Sequence, residues 1–322
     1  MEKMHAAVVT SFDEPPHYQE FDIPSPRTQD QELVDVLAVG LHPRVRTDAS
    51  GKHYTSTGQL PMIPGIDGIG RKADGGRVYF VTDDQLPGSM AEKSVIDLRR
   101  TVPLPANADV EKIAAAMNPA MSSWVALRRR VAIETGQSVL ILGATGNAGT
   151  MAVQVAKLLG AGRVVGAGRD VARLNVLTAL GADEIVQLTV DADTTSEALA
   201  KAAAEVDIVI DYLWGKPAEQ AIMALLTARS DRSKALNWIQ IGAMAGPTLE
   251  LPSVALRSAN LRIQGNGQGA VSTKGYLAEL PSLIDEINSG TLKVAARTFP
   301  LRDVESAWTG LDVPGERTVI VP

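Results

Sequence analysis

Two rhythms of apolar and polar residues run along this chain. Up to about residue 115 the apolar runs are short: "HAAVVTSF", "ELVDVLAVGL", "RVYFV" and "AEKSVI". Clusters of Pro, Gly and Asp separate them, a pattern that predicts an antiparallel, barrel-like unit. "VPLPANADVEKIAAAM" reads as a connector followed by a short helix. "NPAMSSWVALRRRVAI" predicts a longer helix, with Asn118 as its cap and Pro119 in the first turn, where no amide donor is needed. Arg128, Arg129 and Arg130 suit the negative end of that helix as a solvated terminus. From Val139 onward strands and helices alternate. "SVLIL", "RVVGA", "EIVQL", "VDIVID", "NWIQIG" and "LRIQGN" read as strands, with helical stretches such as "GTMAVQVAKLLG" and "PAEQAIMALLTA" between them. Repeated βα units of this kind predict a parallel, doubly wound sheet. Two further helices, the first broken near Pro281, alternate with "VAARTF" and "RTVIV", and this tail is expected to return to the first unit.

The turn after the first strand of the alternating part carries the chemistry. Its pattern is Ala144-x-Gly146-x-x-Gly149, with a strand before it, a helix after it and a second strand beyond. Small residues there let the backbone approach a pyrophosphate, and the helix N-terminus aims free amides at that anion. The residue that selects the adenosine ribose lies ~20 residues further on, at the end of the second strand. In this chain that place is "GAGRD", with Arg169 in it and Arg173 one turn on. A guanidinium pairs bidentately with a 2′-phosphate, so the expected cofactor is NADPH. Asp170 offers the alternatives of a ribose contact or a pairing with a neighbour.

Composition narrows the class. A chain of 322 residues is long for one domain and comfortable for two. With 45% hydrophobic and 21% charged residues it reads as a globular enzyme. A net charge of −6 and 4% aromatics argue against a nucleic-acid partner. The absence of cysteine removes disulfides, thiolate metal sites and a cysteine nucleophile. "MEKMHAAVVTSF" lacks the apolar core of a signal peptide, and no apolar run approaches the ~20 residues of a membrane span. The expectation is a cytoplasmic protein that engages no membrane.

The chain resembles the medium-chain dehydrogenase/reductase superfamily and, within it, the zinc-free quinone oxidoreductase-like branch. The resemblance rests on "GLHPRVRTDASGKHY", "PMIPGIDGIG", "GGRVYF", "GSMAEKSVI", "GATGNAGTMAVQVAKLLGA", "LGADEIV", "DIVIDYLWG" and "ERTVIV", in the family's order. It implies an α/β protein in which a GroES-like β-barrel catalytic domain (residues 1–117 and 268–322) accompanies a Rossmann NADP-binding domain (residues 118–267), with a cleft between them. Zinc-dependent relatives place a cysteine and a histidine where this chain has His42 and Ile66, so a catalytic zinc with its three protein ligands is not expected. Zinc-free relatives carry Asn at the place of His42 and Tyr at the place of Thr47, and both departures fall in the implied substrate cleft.

The resemblance also assigns cofactor contacts. Ser122 matches a threonine that faces the nicotinamide, and Thr145, Gly146, Asn147 and Ala148 match the pyrophosphate turn. Arg169 and Arg173 match a serine and a lysine of NADPH-using relatives. Gly242 and Ala243 match a segment beside the nicotinamide ribose; Gly265 and Asn266 end the last strand of the sheet near the nicotinamide. Arg317 matches a basic residue that some relatives direct at the cofactor, or else it supports the last strand. A homodimer is implied, through edge strands around "LRIQGN".

Without a metal or a nucleophile, the simplest chemistry is hydride transfer from NADPH to a small-molecule electrophile, a quinone or the β-carbon of an α,β-unsaturated carbonyl. The oxygen that gains charge needs a donor: His42, a backbone amide or water. His42 either serves a substrate carbonyl or is a polar residue lining the barrel, and Tyr54 is the second proton-donor candidate. Trp214 either walls the cleft or packs in the core. Two rivals stay open. One is a metal-free NADP-dependent alcohol or carbonyl dehydrogenase. The other is a non-catalytic NADPH-binding sensor or structural protein.

Overall fold

The structure is a computed structural model that describes residues 2–53, 56–83, 86–267, 269–310, 313 and 315–322. The first elements are β1 (Lys3–Val8), β2 (His17–Asp22), β3 (Gln31–Gly40), α1 (Pro43–Ala49), β4 (Asp67–Arg71), β5 (Arg77–Val81), β6 (Lys93–Asp97) and β7 (Thr101–Pro103). Next come α2 (Val110–Val125), β8 (Ser138–Leu142), α3 (Asn147–Leu158), β9 (Arg163–Gly168), α4 (Val171–Ala179), β10 (Glu184–Gln187), α5 (Ala192–Ala203) and β11 (Ile208–Asp211). The last are α6 (Gly215–Ala228), β12 (Leu236–Gln240), α7 (Ser253–Arg257), β13 (Leu261–Gly265), α8 (Thr273–Leu277), α9 (Leu280–Asn288), β14 (Ala295–Pro300), α10 (Val304–Thr309) and β15 (Glu316–Val321). The chain divides into two compact units, residues 1–118 with 273–322, and residues 119–272.

The first unit holds a mostly antiparallel seven-stranded sheet of order β14-β15-β3-β4-β5-β7, with β6 also paired to β3, and the hairpin-like pair β1-β2. The C-terminal tail enters this sheet: β15 runs antiparallel to β3, and β14 runs parallel to β15. The strand "DGIGR" carries its glycines for a packing reason. A Cβ on Gly70 would lie 2.7 Å from Val34 Cγ2 and 3.3 Å from Phe80 Cε1, so the bare backbone makes room for both side chains. Met4, Val8, Val39, Val45, Met90 and Ile320 join the larger core of this unit.

In the second unit six parallel strands follow the order β10-β9-β8-β11-β12-β13. Val139, Leu140, Ile141 and Leu142 are all fully buried, so helices cover both faces of the sheet and the strand loses its polar alternation. The strand order reverses between β8 and β11, and a doubly wound sheet takes its ligands at the carboxyl ends of the strands beside that reversal.

One helix differs from the sequence expectation. Residue Asn118 caps nothing, because α2 runs unbroken from Val110 through Pro119 to Val125. The cap is Asp109, whose Oδ1 accepts the Lys112 amide at 3.1 Å. Ile113–Met117 are fully or nearly fully buried and so are Ala120 and Trp124–Leu127, so a continuous buried stripe carries the helix past the proline. The helix ends in a wider π-turn at Ala126–Arg130, where Arg128 lies over the Trp124 ring at 5.1 Å.

Candidate functional site

The predicted cofactor residues other than Arg317 gather at the carboxyl edge of the parallel sheet. After β8 the chain turns at Gly143, and the amides of Gly143 and Ala144 both donate to the Ala167 carbonyl at 2.9 Å, which ties the turn to β9. The first intrahelical bond of α3 runs from the Thr150 amide to the Gly146 carbonyl at 2.8 Å. The amides of Asn147, Ala148 and Gly149 precede it and have no carbonyl within the helix to bond. A Cβ on Gly149 would collide with the Gly143 carbonyl oxygen and lie 2.6 Å from Ala144 Cα, so only glycine lets the helix sit this close to the strand end. Gly146 is exposed and open, with its nearest neighbour 3.6 Å from an added Cβ.

Thr145 packs against Gly168, where an added Cβ would lie 2.6 Å from Thr145 Cγ2. That contact brings the glycine turn to the end of β9, where Arg169 is exposed. Asp170 caps α4: its Oδ1 accepts the Arg173 amide at 3.1 Å, and its Oδ2 lies 3.4 Å from Arg173 Nε. Asp170 is therefore committed to its neighbour, and Arg173 shares its charge with Asp170. Among the described residues Arg169 forms no ion pair.

The remaining cofactor candidates lie on the other side of the strand-order reversal. The Tyr212 hydroxyl meets Ser122 Oγ at 2.9 Å, and Ser122 Oγ–H donates to the Pro119 carbonyl at 3.0 Å. Asn266 is buried and donates Nδ2–H to the Ser122 carbonyl at 2.9 Å; its amide donates to the Gln240 carbonyl at 2.8 Å. Gln240 in turn donates Nε2–H to the Gly242 carbonyl at 2.9 Å. Ser122, Gly242 and Asn266 are thus tied together through Gln240, while Ala243 and Gly265 stand exposed at their strand ends.

Two residues here escaped the sequence reading. Asp211, fully buried at the end of β11, accepts the amides of Leu213 and Trp214 at 2.8 and 3.0 Å and the Trp238 indole N–H at 3.0 Å. Burial raises its carboxyl above the usual range despite those donors. Its two amide bonds hold Trp214 at φ 54°, a left-handed conformation costly for a bulky residue. Trp214 packs on the core of the unit, which favours the plainer of its two expected roles. Tyr212 is the second; burial pushes its hydroxyl up to about 12, so it keeps its proton at neutral pH. A lone acid closing an apolar parallel strand, as in "VDIVID", was the available signal.

Of the catalytic candidates in the first unit, His42 sits in a buried network of charged and polar groups. His42 is fully buried, and both ring nitrogens are occupied. Its Nε2 lies 3.0 Å from Asp67 Oδ1 and its Nδ1 2.7 Å from Arg317 Nη2. A carboxylate can only accept and a guanidinium can only donate, so the partners fix the tautomer: Nε2–H donates to Asp67, and Nδ1 accepts from Arg317. Tyr79 donates its hydroxyl to Asp67 Oδ2 at 2.7 Å, and the Ser89 hydroxyl donates to the Asp67 carbonyl at 2.6 Å. Burial holds the His42 imidazole below its ordinary value, and Arg317 adds to that, against the opposing pull of Asp67. Burial and the Asp67 charge push the Tyr79 hydroxyl well above its usual range. His42 is a neutral bridge between two buried charges and has no nitrogen left for a substrate. Arg317, 5% exposed, donates from Nη2 to His42, which fits the second of its two expected roles, support of the last strand. Tyr54 lies outside the described residues.

A family model described as zinc-binding dehydrogenase matches residues 148–232. A probable NADPH-dependent quinone reductase of Emericella nidulans is 32% identical over 99% of this chain and 100% of its own length. The quinone oxidoreductase of Thermus thermophilus superposes with a TM-score of 0.80 at 26% identity, over 99% of this chain and 100% of that one. A mycobacterial quinone oxidoreductase superposes at 0.83 with 20% identity, over 99% and 100%, a likeness of fold. The chain belongs to the medium-chain dehydrogenase/reductase superfamily, in its quinone oxidoreductase branch. Its fold is the α/β pairing of that group, a Rossmann sheet with a mostly antiparallel GroES-like sheet. The zinc of the family description finds no ligand set here. The chain has no cysteine, and among the described residues no three His, Asp or Glu side chains gather as a metal site.

Proposed function

We propose that this protein is an NADPH-dependent, zinc-independent reductase of quinones and α,β-unsaturated carbonyls. The observation that carries the reading is the pairing of an open glycine turn with an exposed guanidinium, at the end of the second strand, that no carboxylate among the described residues shares. The amides of Asn147, Ala148 and Gly149 hold the pyrophosphate, with Thr145 and Gly146 completing the turn. Arg169 meets the 2′-phosphate, and Arg173 adds charge from behind Asp170. Ser122, Gly242, Ala243, Gly265 and Asn266 line the nicotinamide half. Bound NADPH supplies the hydride.

An enone or quinone accepts hydride without a strong Lewis acid, because conjugation spreads the developing charge onto oxygen. A plain ketone lacks that relief, which favours quinone and enone over carbonyl reduction. With His42 committed elsewhere, the proton for that oxygen comes from Tyr54, a backbone amide or water. The names of two related proteins, a quinone reductase and a quinone oxidoreductase, support the same reading.

The protein works as a homodimer joined along β13, the edge strand of the parallel sheet. Val254 and Leu256 of the neighbouring α7 are 50% and 53% exposed, which supports an apolar contact there. Sedimentation velocity of the intact chain tests this. For the activity, the test is cofactor oxidation against a quinone, an enone and a ketone. Turnover of the first two with NADPH supports the assignment. Turnover of ketones alone favours a carbonyl dehydrogenase, and tight NADPH binding with no turnover favours a sensor or structural protein.

A further inference from the structure

Ser122 has one hydroxyl proton, and the Pro119 carbonyl takes it at 3.0 Å. The 2.9 Å contact with Tyr212 therefore has the phenol as donor and Ser122 Oγ as acceptor. Tyr212 is buried and retains its proton, so it keeps that role across the physiological range. A hydroxyl oxygen offers one proton and two lone pairs. With the proton given to Pro119 and one lone pair given to Tyr212, Ser122 Oγ has a single acceptor position left and nothing to donate. The Ser122 backbone is fixed as well, by the Asn266 Nδ2–H donated to its carbonyl. Ser122 itself is only half-buried.

We infer that Tyr212 is a positioning residue: by donating to Ser122 Oγ it keeps the serine proton turned onto the Pro119 carbonyl, so that Ser122 meets an N–H donor of the cofactor's nicotinamide carboxamide as an acceptor. The inference rests on the NADPH reading above and adds to it the residue that orients the contact. Phenylalanine at 212 keeps the ring and its packing but removes the donor to Ser122 Oγ, so the serine proton is held by Pro119 alone and can turn toward the cofactor. The penalty then falls on the nicotinamide half of the ligand alone.

The test is equilibrium binding of the intact protein to NADPH and to 2′,5′-ADP, which carries the phosphate-bearing half without nicotinamide. Tyr212→Phe weakens NADPH roughly three- to tenfold, the size of one neutral hydrogen bond, and leaves 2′,5′-ADP unchanged. In the Tyr212→Phe, Ser122→Ala double variant the loss is no greater than in Ser122→Ala alone, because Tyr212 acts through Ser122. A merely structural tyrosine would weaken both ligands together, and that outcome overturns the inference while leaving the NADPH reading intact. Additive losses in the double variant overturn it too. A wild-type protein that binds neither ligand overturns both the inference and the reading beneath it.

Discussion

Replacing Arg169 with alanine removes the one guanidinium at the end of β9 that no carboxylate shares among the described residues. Arg173 is already engaged, with Nε 3.4 Å from Asp170 Oδ2. Arg169 is exposed and forms no ion pair among the described residues, so its charge is available to a ligand at no cost in broken contacts. A charge-assisted hydrogen bond contributes about 1.5–3 kcal/mol. At about 1.4 kcal/mol per decade, the dissociation constant for NADPH rises roughly ten- to hundredfold. NADH lacks the 2′-phosphate and loses little by the same reasoning. Arg173→Ala costs less than Arg169→Ala, since that guanidinium divides its field between the ligand and Asp170. Added salt narrows the gap between the cofactors, because the contact is solvent-exposed and screened. Titration calorimetry of both variants with NADPH and NADH reads these numbers. Equal losses for the two cofactors, or no loss for NADPH, would refute phosphate selection by this strand end.

Three further outcomes follow from the packing and the buried charges. His42 is neutral when folded, with its value lowered from 6.5, so the unfolded chain takes up a proton that the native imidazole refuses. Its contribution is complete above pH 6.5 and is lost as pH falls below that value, with a slope of up to about 1.4 kcal/mol per pH unit. Urea unfolding from pH 7.5 to 5 shows this slope in the wild type and a flatter one in His42→Gln; identical slopes would mean the ring is not held neutral. Gly149→Ala forces α3 away from the turn, costing about 1–3 kcal/mol and NADPH binding together; Gly146→Ala changes the unfolding midpoint little, and comparable destabilisation by both would contradict the geometry. Asp211→Asn keeps an oxygen for the Leu213 and Trp214 amides but turns a donor toward the Trp238 indole, costing about 1–3 kcal/mol in denaturant unfolding; a neutral result would mean that the Trp238–Asp211 bond does not contribute to stability.

The parallel sheet was legible because its central strands β8, β9 and β11 are apolar runs, each followed by a helix. The glycine turn was legible because its small residues stand between such a strand and helix. β4 was not, because "DGIGR" carries glycines where a sheet interior ordinarily carries bulk, and only the nearby Val34 and Phe80 side chains explain them. β2 was not either, because "HYQEFD" is largely polar, with Gln19 and Glu20 exposed on a two-stranded pair. Pro119 reads as a helix start because local propensity knows nothing of the buried stripe that runs through it. His42 and Arg317 stand 275 residues apart in sequence, and their contact depends on β15 returning beside β3. Local residue chemistry offers a free imidazole and a free cation, where the fold makes His42 the bridge between Arg317 and Asp67.

The central claim is reduction of a conjugated acceptor by NADPH without a metal ion. The most direct measurement is kcat/KM for a quinone with NADPH and with NADH, before and after exhaustive chelation and dialysis. The expected result is at least about a tenfold preference for NADPH, from the phosphate contact, and a rate that chelation leaves unchanged. A rate that disappears with the chelator and returns with zinc, or one that is equal for the two cofactors, contradicts it.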